Sequence, residues 1–323
     1  MQRILPRGEI ESLDHTSIPR LRLPVRASVF ADRAARLRQL ADGNPVGAYL
    51  LLLAHLVDGQ HKQLTALAPA ELPADVLETA QRHGMPPLLA SGWKRDPQWL
   101  SILSSLLNHM IQTSGVPAAA QEVCQDLLKK AESDPQKLED LADAILAEQL
   151  PEQDGAAAPF VMAALQVYWT HLACSLTEGQ LSVTSPFGVC PSCGSLPVSS
   201  VVRVGGREDG CRYMCCPRCS VEWHLVRVTC SHCESTKSVA YHAIEDGPEG
   251  IKAESCDNCH TYRKIFYQEK QLGLDPVADD LASLALDVLM GEEGYSRASG
   301  NPLIEQSAQL VGARRPAGSR RKP

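Results

Sequence analysis

Aromatic residues make up only 5% of the 323-residue chain. Sheet-on-sheet cores draw on aromatic and β-branched side chains, so this scarcity, beside an abundance of Ala and Leu, predicts a core built mostly from aliphatic helices. An excess of positive charge is also missing: 38 acidic residues against 31 basic ones leave a formal charge of −7. No whole-chain field pulls the protein toward nucleic acid or anionic lipid. Nor is there an uninterrupted apolar run of the ~20 residues that a membrane helix needs. The stretch 46–57 is too short, and 160–176 is broken by Gln166, Thr170 and His171, so both read as buried helices. The first 23 residues carry Arg3, Arg7, Glu9, Glu11 and Asp14 without the apolar centre of a secretory signal. The expectation is a cytoplasmic protein without stable membrane insertion, whose thiols stay reduced.

What is present is an ordinary globular composition, 44% hydrophobic and 21% charged, at a length that suits roughly two domains of ~150 residues. Residues 29–41 place Phe30, Ala34, Leu37 and Leu40 at helical spacing among Arg33, Arg36 and Arg38, and Gly43-Asn44-Pro45 stops the pattern. A second helix begins near Pro45 and runs through the leucines at 50–53. Others are predicted at 99–111, 118–130, 135–148 and 156–176, separated by Pro86-Pro87, Asp96-Pro97 and Pro151. From Phe187 the pattern changes to short β-branched runs at 198–204 and 223–228, bounded by turn signals such as Gly205-Gly206. After Gln271 helical spacing returns. Asp275 can cap a helix with Pro276 at its first position, Leu281, Leu284, Val288 and Leu289 form a stripe, and Gly291 suits its end.

Cysteine is the exception to this plainness. Ten of the twelve cysteines lie between Cys190 and Cys259, while Cys124 and Cys174 sit alone in apolar helical surroundings. Four C-x-x-C pairs occur, Cys190/Cys193, Cys216/Cys219, Cys230/Cys233 and Cys256/Cys259, and adding 40 to the first two gives the last two. The region is an internal duplication. In each unit 22 residues separate the pairs and read as a β-hairpin, with turns at 205–210 and 246–250, so the second pair returns to face the first. A C-x-x-C turn folds two thiolates onto one side of a knuckle. Two opposed knuckles make the tetrahedral four-sulfur cage preferred by zinc and by rubredoxin-type iron. A lone pair would read equally as a thioredoxin-like redox motif, but four at duplicated spacing without a βαβ pattern favour one metal ion per unit. Gly194 follows the first pair and accepts a left-handed backbone, a place taken in the other knuckles by Ser220, Glu234 and His260. Cys211 and Cys215 are expected to pack as small hydrophobes. His224, His232, His242 and His260 are expected to lie near the cages without replacing a sulfur.

The fold class expected is α+β: an all-helical domain at 1–180, tandem rubredoxin-like or zinc-ribbon domains at 181–228 and 229–271, a C-terminal helix within 272–311 and a disordered basic tail at 312–323. Four protein ligands close each cage, which leaves no position for substrate and gives no support to metal-assisted hydrolysis. No phosphate loop or Ser-His-Asp pattern suggests an enzyme. Tandem ribbons often bind nucleic acid, yet residues 187–270 hold 10 basic and 10 acidic side chains, no basic face. That charge balance makes a nucleic-acid binder the least favoured alternative, behind an electron carrier and a protein-binding adaptor. For the adaptor, Arg212, Tyr213, Trp223, Arg227 and Tyr262 are the candidate anchors.

Several of these residues carry a family resemblance: Cys190-Pro191-Ser192-Cys193-Gly194, Arg212-Tyr213, Glu222-Trp223-His224, Arg227-Val228-Thr229-Cys230-Ser231-His232-Cys233, and Lys252-Ala253-Glu254-Ser255-Cys256 followed by Cys259-His260-Thr261-Tyr262. The sequence resembles the formate dehydrogenase accessory protein family, FdhE. The likeness reaches Arg33, Asn44-Pro45 and Tyr49 near the start and Asp275-Pro276-Val277-Ala278-Asp279-Asp280-Leu281 after the ribbons, so it spans most of the chain. Cys215 departs from it, standing where a non-cysteine neighbour is expected. The resemblance implies two metal ions, with iron favoured and zinc the alternative. It also implies a cytoplasmic role in assembling a molybdenum- or tungsten-dependent respiratory formate dehydrogenase, with the catalytic subunit as client before export and a redox-linked contact with it. A homodimer is left open.

Overall fold

The computed structural model describes residues 18–182 and 187–304. The expected disordered tail at 312–323 lies outside them, as do residues 1–17 of the N-terminal stretch considered above. The helical part comprises α1 (Val29–Ala41), α2 (Gly47–Ala66), α3 (Ala74–His83), α4 (Gln98–Gln112), α5 (Ala118–Ser133), α6 (Pro135–Leu146) and α7 (Ala158–Ala173). Helix α7 is the axis of the core: of its sixteen residues only Pro159 is not buried. Its hydrophobic-all-round character follows from that position, since a helix surrounded by α2, α4 and α6 has no solvent face to make polar.

The expectation of an all-helical first part needs one correction. Leu21–Arg22 forms a short strand, β1, paired antiparallel to Trp223 and Glu222 of the ribbon region. Two residues carry no period of their own, so only the distant partner makes them a strand. Helix α3 was also not foreseen. It is short, bears one fully buried residue, Ala80, and ends on Gly84 in the left-handed conformation.

The ribbon region supplies β2 (Ser199–Val202), β3 (Arg212–Cys215), β4 (Glu222–His224), β5 (Val239–His242), β6 (Ile251–Cys256) and β7 (Thr261–Tyr267). The hairpins β2–β3 and β5–β6 fall where the repeat of 40 puts them, but their registers differ by one residue: Ser199 stands opposite Cys215, and Val239 opposite Cys256 rather than Ser255. The two units are fused, however. Strand β2 of the first pairs in parallel with β7 of the second, Ser200 beside Ile265 and Val202 beside Tyr267. One eight-stranded sheet results, in the order β1-β4-β3-β2-β7-β6-β5, with β8 (Ser296–Arg297) on the remaining part of β7.

After the ribbons, Asp275 caps the next helix as expected: its Oδ1 accepts the Val277 and Ala278 N–H groups at 3.0 and 2.8 Å. The single helix divides into α8 (Ala278–Ala282) and α9 (Leu284–Glu292) at Ser283. That break turns the apolar face, so Leu281, Leu286 and Met290 are buried, whereas Val288 and Leu289 of the expected stripe are exposed. Arg36 forks onto Asp279 at 2.6 and 3.0 Å, and Arg33 bonds Asp275 at 3.2 Å. Asn44 adds a bond to the Ala282 carbonyl at 3.0 Å. These contacts clamp α1 to the segment after the ribbons, and breaking one buried pair costs about 3–5 kcal/mol.

Candidate metal centres

Each cage begins as a backbone fold. In three of the four knuckles the N–H of the first cysteine bonds a carbonyl five residues on: Cys190 to Ser195, Cys216 to Val221 and Cys230 to Ser235, at 2.8 to 3.0 Å. The residue after each pair then turns left-handed, with φ of 74° at Gly194, 58° at Ser220, 60° at Glu234 and 53° at His260. At Gly194 a Cβ would lie 2.5 Å from the end of the Leu89 side chain, which would have to shift to admit one. The three other residues adopt a conformation that costs an L-residue roughly 1–2 kcal/mol.

The hairpins bring the knuckles face to face. In the first unit Cys190 and Cys219 have Sγ atoms 3.6 Å apart, and Cys193 and Cys216 3.5 Å. In the second, Cys230–Cys259 and Cys233–Cys256 both stand at 3.7 Å. Within each set the four sulfurs all lie within 4.8 Å of one another. Sulfurs at the corners of a tetrahedron around an ion at about 2.3 Å are roughly 3.8 Å apart, so each set fits one four-coordinate ion such as zinc or iron. Among the described residues these two groups contain only cysteine, and none of the four nearby histidines joins them.

Backbone N–H groups point at sulfur in both units. Arg218 and Cys219 donate to Cys216 Sγ at 3.4 Å, and His232 donates to Cys230 Sγ at 3.4 Å. Asn258, inside the last knuckle, adds its side-chain amide to Cys233 Sγ at 3.4 Å. Burial pushes the Cys190 and Cys219 thiols well up. At Cys193 burial acts the same way, but bonds from its three neighbours and the Arg218 charge overcome it and hold that thiol well below its usual value. The second unit divides likewise: burial takes Cys230 to about 12, while at Cys233 the Asn258 amide and other bonds outweigh burial and bring it to about 7.

The surroundings of the cages differ. All four cysteines of the first are buried, whereas Cys233 and Cys259 of the second are half-buried. Both knuckles of the first unit are bonded to the helical body: Ser192 and Cys193 carbonyls accept Leu88 and Ala90 N–H groups at 2.8 and 3.4 Å. On the other side, Gln166 of α7 donates to the Pro217 carbonyl at 2.7 Å and is itself held by Gln60 of α2 at 2.8 Å. Composition gave no hint of this glutamine chain. Beside the second cage lies Arg263, 4% exposed, bonded through Nε to Ser231 at 2.8 Å and through Nη1 to Ser299 at 2.5 Å and the Pro197 carbonyl. No carboxylate among the described residues pairs with it, and burial together with the Arg212 and Arg297 charges lowers its pKa to about 9.

The structure corrects the reading of the adaptor anchors. Arg212 is 1% exposed and paired with Glu254 at 3.0 Å, and Tyr213 is closed off with its hydroxyl on the Pro19 carbonyl at 2.7 Å. Trp223 donates to the Phe187 carbonyl at 2.9 Å, and Tyr262 to Asp287 at 2.7 Å. These four hold the ribbons together; of the five only Arg227 is exposed. Alternation in so small a sheet does not tell which face the body covers. Cys215 is buried outside the first cage, its thiol pushed well up by burial, and Cys211 is half-buried near Asp209.

Family models match three consecutive parts: FdhE, N-terminal, at residues 18–185, the FdhE central domain at 189–227 and the FdhE C-terminal domain at 228–304. Protein FdhE homolog of Cronobacter sakazakii and Protein FdhE of Escherichia coli K12 are each 40% identical over 312 residues, covering 94% of this chain and 97% of theirs. The crystal structure of the FdhE protein from Pseudomonas aeruginosa superposes with a TM-score of 0.79 at 39% identity, over 89% of this chain and 99% of that one. No helix among the described residues is long and apolar enough to cross a membrane. A helical body, a fused sheet and two all-cysteine cages, matched from end to end in this way, mean that the chain belongs to the FdhE family.

Proposed function

We infer that this protein is a cytoplasmic, non-catalytic accessory factor that binds the catalytic subunit of formate dehydrogenase before export. The observation that carries the reading is the pair of closed cages set in one sheet of an FdhE-family chain. Cys190, Cys193, Cys216 and Cys219 hold one ion, and Cys230, Cys233, Cys256 and Cys259 the other, iron by family likeness and zinc as the alternative. Four thiolates saturate a tetrahedral ion, so the group supplies a cross-link and, if iron, a one-electron couple. The chain's own residues supply a fixed surface around it. Capture of the catalytic subunit, freed of its cofactor, by metal-loaded protein is the expected result. Absence of capture by fully loaded protein refutes the role.

An electron carrier is the second reading, favoured by the half-buried Cys233 and Cys259, which bring the second cage to the surface. It requires iron with a reversible visible spectrum and fast exchange with a reductase. Colourless, zinc-filled protein that still captures its client disposes of it.

A further inference from the structure

A cleft of about 430 Å³ lies where the three parts of the chain meet, within the roughly 300–1,000 Å³ usual for ligand pockets at such junctions. One wall is the β1 strap and α1, the second is the first ribbon, including Cys216 of its cage, and the third is the segment 268–276. Two arginines three residues apart on α1 behave differently there. Arg36 forks onto Asp279 with two nitrogens. Arg33 gives only Nε to Asp275, and its Nη1, on a side chain 3% exposed, has no partner among the described residues. A buried donor left unpaired costs about 1–3 kcal/mol, so an acceptor supplied from outside would relieve a standing penalty.

The rim has the opposite character. Val25 and Leu272, both lining the cleft, are 63% and 74% exposed, large apolar side chains that no described residue covers. The other lining cations are paired, Arg22 with Glu208 and Glu222, Arg203 with Glu222 and Arg36 with Asp279, so the unmet donor in the cleft lining is that of Arg33. One unmet donor among otherwise paired charges suits a single carboxylate better than a phosphate dianion, and the apolar rim asks for hydrophobic neighbours on either side of it.

We propose that this cleft docks a partner polypeptide through one carboxylate side chain set on Arg33, with flanking apolar side chains against Val25 and Leu272. The assignment rests on the client-binding reading only for the owner of that segment. The test titrates metal-loaded, full-length protein with acetyl-Leu-Glu-Leu-amide and with its Gln counterpart, following the Val25 and Leu272 amide resonances. The expected result is binding at least tenfold tighter for the Glu peptide, and loss of binding in the Val25→Ser/Leu272→Ser double variant, whose changes lie at the exposed rim. Arg33→Gln, where it folds, removes the preference for Glu. Equal affinity for the two peptides, no binding of either, or inorganic phosphate binding as tightly as the Glu peptide overturns the proposal. Capture of the catalytic subunit is measured separately on the same double variant. If wild type captures it and the double variant does so equally well, the cleft is not where the client docks. If wild type captures nothing, the client reading fails while the peptide titration still decides the cleft.

Discussion

The two cages share a sequence pattern, a repeat and a sulfur geometry, yet they occupy different physical places. The first is buried on all sides and bonded to the helical body through Leu88, Ala90 and Gln166. The second has two half-buried sulfurs and leans on its own sheet, on Arg263 and on the segment carrying Ser296, whose N–H bonds the His260 carbonyl at 2.9 Å. Duplication thus produced two copies of one four-cysteine arrangement in different settings. One locks body to ribbon, and the other presents a sulfur site near solvent.

That contrast can be broken by removing each cage in turn. A structural zinc is worth about 10–16 kcal/mol in small peptides, so Cys190→Ser/Cys193→Ser is expected to unfold the first ribbon and loosen its seat on α7. Cys230→Ser/Cys233→Ser should lose one ion per chain while the helical body keeps its cooperative melting. Equal damage from the two, read by calorimetry with elemental analysis, would abolish the distinction. A chelator sharpens it further: with two sulfurs half-exposed, the second cage is expected to release its ion first, and two equal release rates would contradict this. In the stripped protein Cys233 should be the thiol that iodoacetamide modifies first, its rate rising as pH passes through about 7, where the thiolate forms, while Cys230 waits until about 12. Peptide mapping of the labelled chain reads this, and a refilled cage should suppress it. The smallest effect concerns backbone strain at the junction between the cages. Val228, 51% exposed, holds φ at 62°, so Val228→Gly is expected to raise stability by about 1 kcal/mol in denaturant titration, with metal content unchanged.

Much of this was legible from residue spacing. The repeat of 40 identified the eight cysteines that the fold gathers, the two hairpins, and the left-handed place after each pair. Helix α1 runs over the residues its apolar period marks, and Asp275 caps where its position suggests. What stayed hidden depends on partners far away in sequence. Leu21–Arg22 is a strand only because Trp223 lies beside it, and the β2–β7 seam joins residues more than sixty positions apart. The same holds for Arg212, Tyr213, Trp223 and Tyr262. Their types suit an exposed anchor or a buried strut equally, and only the packed sheet decides.

The parallel seam has a consequence for dissecting the molecule. Strand β7 has β6 on one side and shares its other side between β2 and β8, with Ile265 and Phe266 buried at 1% and 0% exposure. A fragment cut at residue 228 to isolate the second ribbon would bare an unpaired strand edge next to those side chains. Such an edge recruits neighbouring chains, so the fragment is destined to self-associate however well its own cage is filled.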